Sequence, residues 1–157
     1  MKTKSLGFIG GGRITKVMLQ AIANNKTEYR AIVVYDINPG VLTALKNQFP
    51  GIYPADSASE AAKQDMVFLA LHPPVIMDTL EIVKDQIKAG SIVISLAPKI
   101  TMEKIASKLK NFKNIVRLNQ NAVIRRTKII LNVVFSEITT KVGACQVVFK
   151  LLVRWHQ

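Results

Sequence analysis

The run Leu6-Gly7-Phe8-Ile9-Gly10-Gly11-Gly12 carries an apolar stretch straight into three glycines, and a helical pattern follows. Residues of these types in this order can hold a pyrophosphate. Gly10 lets the chain turn tightly out of a strand. Gly11 and Gly12 admit the close approach of backbone N–H groups, and the helix opening at Arg13 and Ile14 offers its N-terminus to negative charge. The third position of the G-x-G-x-x-G pattern falls on Thr15, bulkier than the usual glycine or alanine, which predicts somewhat looser packing of helix on sheet. A glycine-rich turn without a ligand is the alternative.

Two further positions stand where such a ligand would reach. Asp36 follows a short β-branched run, 24 residues after Gly12. An acid there accepts hydrogen bonds from an adenosine ribose and repels a 2′-phosphate, and no Lys or Arg follows in Ile37-Asn38-Pro39-Gly40. That favours NAD over NADP, with either dinucleotide open as cofactor; simple capping of the next helix by Asp36 is the alternative. Ala70-Leu71-His72-Pro73-Pro74 follows another apolar run. In a doubly wound sheet this loop borders the ligand crevice, so His72 can touch a cofactor or pass a proton, or can be a loop histidine fixed by its neighbours.

The elements that must position these residues alternate. Strands are predicted at Ser5–Ile9, Ala31–Tyr35, Gly51–Tyr53, Asp65–Leu71, Ser91–Leu96, Asn114–Leu118 and Lys128–Phe135. Helices are predicted at Arg13–Asn24, from Asn38-Pro39 to about Gln48, from a Ser57 cap to Lys63, from Pro73-Pro74 to about Ile87, and from Thr101 to about Leu109. This order implies an α/β, doubly wound, mainly parallel Rossmann-type sheet with helices on both faces. From Glu137 or Ile138 a helix is predicted, with Val142, Cys145, Val148, Phe149, Leu152 and Trp155 on one apolar stripe. The stripe packs on its own domain or on a second chain, a route to a homodimer. The expected division is a dinucleotide-binding domain over 1–136 and a basic, apolar helix over 137–157.

Composition bounds the function. The 157 residues suffice for one domain with a core, and no apolar run is long enough to cross a membrane. No signal peptide is expected, and the single Cys145 fits a reducing, cytoplasmic setting. Two histidines and one cysteine offer no metal cluster. The net charge of +12 is scattered, +7 over residues 1–121 and +5 over 122–157, with no aromatics interleaved. A basic surface favouring anionic cofactors is the better reading, and a nucleic-acid partner the weaker one.

Four segments carry a family resemblance. Gly7-Phe8-Ile9-Gly10-Gly11-Gly12-Arg13-Ile14-Thr15 resembles the GFIGAGNMA opening of pyrroline-5-carboxylate reductases. Ala70-Leu71-His72-Pro73-Pro74-Val75-Ile76 is similar to their A-V-K-P-Q-x-M segment, and Ser95-Leu96-Ala97-Pro98-Lys99-Ile100-Thr101 to S-x-A-A-G-I-T. Arg117-Leu118-Asn119-Gln120-Asn121-Ala122 sits where the family has R-x-M-P-N-T-P. Order and spacing agree over about residues 5–121, and F420-dependent NADP oxidoreductases share the first two segments.

The resemblance implies that Gly10–Ile14 and Asp36-Ile37-Asn38 bind the dinucleotide. It places Ser57 at an adenosine contact, and Leu71, His72, Pro73, Ala97 and Asn121 along the nicotinamide side. It implies hydride transfer to the imine carbon of 1-pyrroline-5-carboxylate, giving proline. The chain departs from the family at Arg13, Thr15, Pro98, Lys99, Gln120 and Val123. The helical domain that dimerises such reductases and supplies most of the imino-acid site is expected to be absent. No catalytic acid or base is assigned; His72, Thr101 and Asn121 only border the site. A non-catalytic dinucleotide-binding or interaction module is therefore the alternative to a reductase.

Overall fold

A stacked pair of phenylalanines, Phe8 and Phe68, lies at the centre of the molecule, ring centroids 4.6 Å apart and planes 11° from parallel. They sit on neighbouring strands of one sheet. The computed structural model describes residues 4–24, 26, 28–97, 99–110, 112, 114–125 and 128–138, with backbone alone from 118 onward. Its elements are β1 (Ser5–Ile9), α1 (Arg13–Asn24), β2 (Ala31–Tyr35), α2 (Pro39–Gln48), β3 (Tyr53–Pro54), α3 (Ala58–Ala62), β4 (Met66–Leu69), α4 (Pro73–Val83), β5 (Ile92–Ser95), α5 (Met102–Lys108), β6 (Ile115–Arg125) and β7 (Lys128–Ile138).

The described strands form one sheet in the order β3-β2-β1-β4-β5-β6-β7. Every pairing from β3 through β6 is parallel, and β7 runs antiparallel to β6. The short apolar strands are fully buried, as a sheet covered on both faces requires. Leu6 and Phe8 face a core shared with Met18 and Leu19 of α1 and Leu45 of α2. Ile9 and Leu69 face the opposite core, shared with Ala61 of α3, Ile76 and Leu80 of α4, and Ile105 of α5. The winding thus changes sides between β1 and β4, giving the doubly wound α/β architecture that the alternating pattern implies.

At Gly7, α3 comes close against the sheet. A Cβ there would lie 1.9 Å from the Ala61 carbonyl oxygen, so the strand tolerates no side chain at that point. At the amino edge of the sheet, Asp65 ties three strands. Its Oδ2 accepts from the Ser5 amide at 2.9 Å, the Ser5 hydroxyl at 3.1 Å and Arg30 Nη2 at 3.1 Å. The Ser5 amide first, then its hydroxyl and the nearby Arg30 and Lys88 cations, hold the Asp65 carboxyl below the usual carboxylate range, against the opposing effect of burial. Burial pushes the half-buried Tyr29 phenol up to about 12.

Several boundaries differ from the sequence reading. Helix α4 stops at Val83 rather than Ile87, and β3 comprises Tyr53 and Pro54 rather than Gly51 to Tyr53. Strand β6 continues past Leu118 to Arg125 because β7 pairs alongside it, Asn121 opposite Asn132 and Arg125 opposite Lys128. The same pairing keeps Glu137 and Ile138 extended where a helix was expected to begin. The apolar stripe from Val142 to Trp155 lies outside the described residues.

Candidate functional site

The carboxyl ends of β1, β2, β4 and β5 meet at one edge, held by main-chain bonds. Gly10 N–H donates to the Tyr35 carbonyl at 2.8 Å, Ala70 N–H to Ile9 at 2.9 Å, and Leu96 N–H to Leu69 at 3.1 Å. The helices α1 and α4 that follow β1 and β4 pack on opposite faces of the sheet. Strand order reverses between the loops after β1 and β4, the general ligand position in such sheets.

The glycine turn forms one side of this position. Gly10 has φ +105°, a conformation that favours glycine, and a Cβ there would lie 2.3 Å from the Ala70 carbonyl oxygen. Gly11 is buried, and a Cβ on it would meet Val41 Cγ1 at 2.8 Å. Gly12 differs: it is exposed, and a Cβ on it would meet nothing within 4 Å. A pyrophosphate fits here, since the side-chain-free space at Gly12 opens directly onto the N-terminus of α1. That first turn carries no acid and begins with the exposed Arg13, with the half-buried Ile14 beside it.

Thr15 corrects an expectation. Its side chain is fully buried, and its hydroxyl donates to the Gly10 carbonyl at 2.5 Å. The extra bulk is therefore accommodated with its polar atom satisfied, and it braces the turn.

Asp36, at the end of β2, joins the same side. Its Oδ2 accepts from Gly11 N–H at 2.7 Å and its Oδ1 from Asn38 N–H at 2.8 Å. Asn38 in turn caps α2, its side chain accepting from Gly40 N–H at 2.9 Å. The Asp36–Gly11 bond was not foreseen; its only sequence signal is an acid closing a strand that pairs beside the glycine strand.

The opposite side comes from the β4–α4 loop. Leu71 Cδ2 lies 3.2 Å from where a Gly10 Cβ would stand, so Leu71 borders the turn directly. His72 is exposed at the N-cap of α4 without a side-chain capping bond, and Pro73 is the helix's first residue. Ala97 is buried just beyond β5, its N–H donating to Ser95 Oγ at 3.3 Å. Ser57 occupies the N-cap of α3, but its hydroxyl makes no capping bond. Thr101 caps α5 by accepting from Lys104 N–H at 3.4 Å. The turn, Asp36, Leu71, His72 and Ala97 therefore share one edge. Asn121 lies farther along β6, and the structure describes its strand position alone.

Among the described residues no group of three or more His, Cys, Asp or Glu could hold a metal, and no helix is long and apolar enough to cross a membrane. The model for the family described as NADP oxidoreductase, coenzyme F420-dependent, matches residues 5–99. Pyrroline-5-carboxylate reductase of Escherichia coli K12 is 33% identical over 120 residues, which cover 75% of this chain and 44% of that protein. This chain thus spans less than half the length of that relative. A solved pyrroline-5-carboxylate reductase from Coxiella burnetii superposes with a TM-score of 0.69 at 27% identity, covering 77% of this chain and 45% of its own. A Plasmodium falciparum pyrroline carboxylate reductase, solved with NADP bound, shares the fold with a TM-score of 0.62 at 20% identity, over 77% of this chain and 44% of its own.

Proposed function

This chain belongs to the NADP oxidoreductase, coenzyme F420-dependent, family, and from that membership we propose that it is the dinucleotide-binding portion of a pyrroline-5-carboxylate reductase. The observation that carries the reading is a glycine turn bonded to Asp36 at the β1/β4 reversal of strand order. The 33% identity to the Escherichia coli enzyme supports the substrate class.

In this reading Gly12, Arg13 and Ile14 take the pyrophosphate, Asp36 and Asn38 the adenosine ribose, and Ser57 lies toward the adenosine. Leu71, His72, Pro73 and Ala97 line the nicotinamide side, with Asn121 approaching from β6. A nicotinamide dinucleotide bound there supplies a hydride for the carbon of a cyclic C=N bond. The residues of this chain bind and orient it, and Leu71 and Ala97 exclude water from its reactive face. A small imino acid is the substrate in this reading, the protein works in the cytoplasm, and a homodimer forms through residues 137–157.

The test measures proline formation from 1-pyrroline-5-carboxylate with NADH and with NADPH. Turnover with either is expected. A folded sample that binds dinucleotide without turnover would favour a second reading, a binding module alone.

A further inference from the structure

We infer that Asp36 and the β2–α2 turn make this site select NADH over NADPH, although the family description names NADP; the inference rests on the dinucleotide reading above. A 2′-phosphate needs hydrogen-bond donors and cations. An unphosphorylated ribose needs acceptors for its two hydroxyls. The turn supplies the second set and has used up the first.

The carboxylate of Asp36 is fixed. Its two oxygens accept from Gly11 and Asn38 amides at 2.7 and 2.8 Å, so it cannot swing away from an incoming anion without giving up both bonds. A carboxylate has about four acceptor positions, so two remain for ribose hydroxyls. The main-chain donors from Asn38 to Val41 are taken as well. Asn38 N–H is held by Asp36, Gly40 N–H by the Asn38 side chain at 2.9 Å, and Val41 N–H by the Asn38 carbonyl at 3.1 Å. Pro39, the first residue of α2, has no N–H. The N-terminus of α2, otherwise a natural anion site, is therefore closed to a phosphate.

Cations are missing from the same turn. Residues 37–40 are Ile, Asn, Pro and Gly. Lys46, farther along α2, donates its ammonium to the Pro50 and Ile52 carbonyls, each at 2.7 Å. Ile37 is 88% exposed beside Asp36, at the place where an arginine would serve a 2′-phosphate.

Calorimetric titration of the chain with NADH and NADPH at matched ionic strength tests this. NADH is expected to bind at least tenfold more tightly, about 1.4 kcal/mol. Ile37→Arg, a substitution at an exposed position, is expected to shift the ratio at least tenfold toward NADPH. Arg13→Ala is expected to weaken both dinucleotides alike. NADPH bound as tightly as NADH by the unaltered chain, a ratio unmoved by Ile37→Arg, or a loss confined to NADPH in Arg13→Ala overturns the inference and leaves the dinucleotide reading standing. Failure of both dinucleotides to bind removes the two together.

Discussion

The amide of Gly11 donates to the carboxylate of Asp36 at 2.7 Å, joining the turn after β1 to the end of β2. The acid proposed for the ribose and the glycine turn proposed for the phosphate are therefore tied together by a direct bond. Altering either one displaces the other.

The three sites Gly7, Gly10 and Gly12 separate folding from binding. Alanine at Gly7 or Gly10 places a methyl against backbone oxygen, at 1.9 and 2.3 Å, and Gly10 adds its positive φ. Each is expected to destabilise the protein by about 3 kcal/mol, a drop in melting temperature of about 10 °C. Gly12→Ala meets nothing within 4 Å and is expected to leave the melting temperature unchanged. It is expected to weaken dinucleotide binding about tenfold or more, since its methyl would fill the space proposed for the pyrophosphate. Unaltered affinity in Gly12→Ala would take the phosphate away from this turn.

Asp65 predicts an acid limb in stability. Its folded-state pKa lies below the ordinary value, chiefly through the Ser5 amide. Its contribution is fully present above the unfolded carboxylate pKa, about 4, and is lost as pH falls through that value toward the lower folded one. Denaturant unfolding between pH 2 and 7 should show this slope, and Asp65→Ala should flatten it while costing about 2 kcal/mol at neutral pH. Most of that cost belongs to the Ser5 bonds, because Arg30 is largely exposed and its ion pair is weak.

Tyr29 governs the alkaline side. Burial raises its phenol to about 12, so its contribution is complete below pH 10 and is lost as pH climbs toward 12. Spectrophotometric titration should show a late-ionising component that disappears in Tyr29→Phe. A Tyr29 phenol that ionised near the ordinary value of about 10 would contradict the burial that the structure gives this ring.

The elements nearest the site were the most legible. Ile32–Tyr35 is a β-branched and aromatic run, and Arg13–Asn24 repeats its apolar residues at helical spacing, so each pattern admits one structure. Pro39 and Pro73 mark helix starts because proline fits the first turn and breaks later ones. Strand β6 resisted because Asn119 and Asn121 are poor strand formers, and what keeps them extended is the antiparallel pairing of β7, the next strand in the chain. Thr15 resisted for another reason: its size could be read, but not the Gly10 carbonyl that waits for its hydroxyl. The role of Gly7 was equally hidden, because a glycine inside a strand does not say which backbone crosses it.

Three consecutive glycines look like three interchangeable amides aimed at a phosphate, yet two of them already have owners. Gly10 N–H belongs to Tyr35 and Gly11 N–H to Asp36. Among the described residues, Gly12 N–H is the member of the trio left over for a guest. An anion would thus be greeted by one loop amide and the first turn of α1, so its grip depends more on the helix than on the glycine count. Lengthening the glycine run would gain nothing, whereas an acid introduced at Arg13 or Ile14 would turn the guest away.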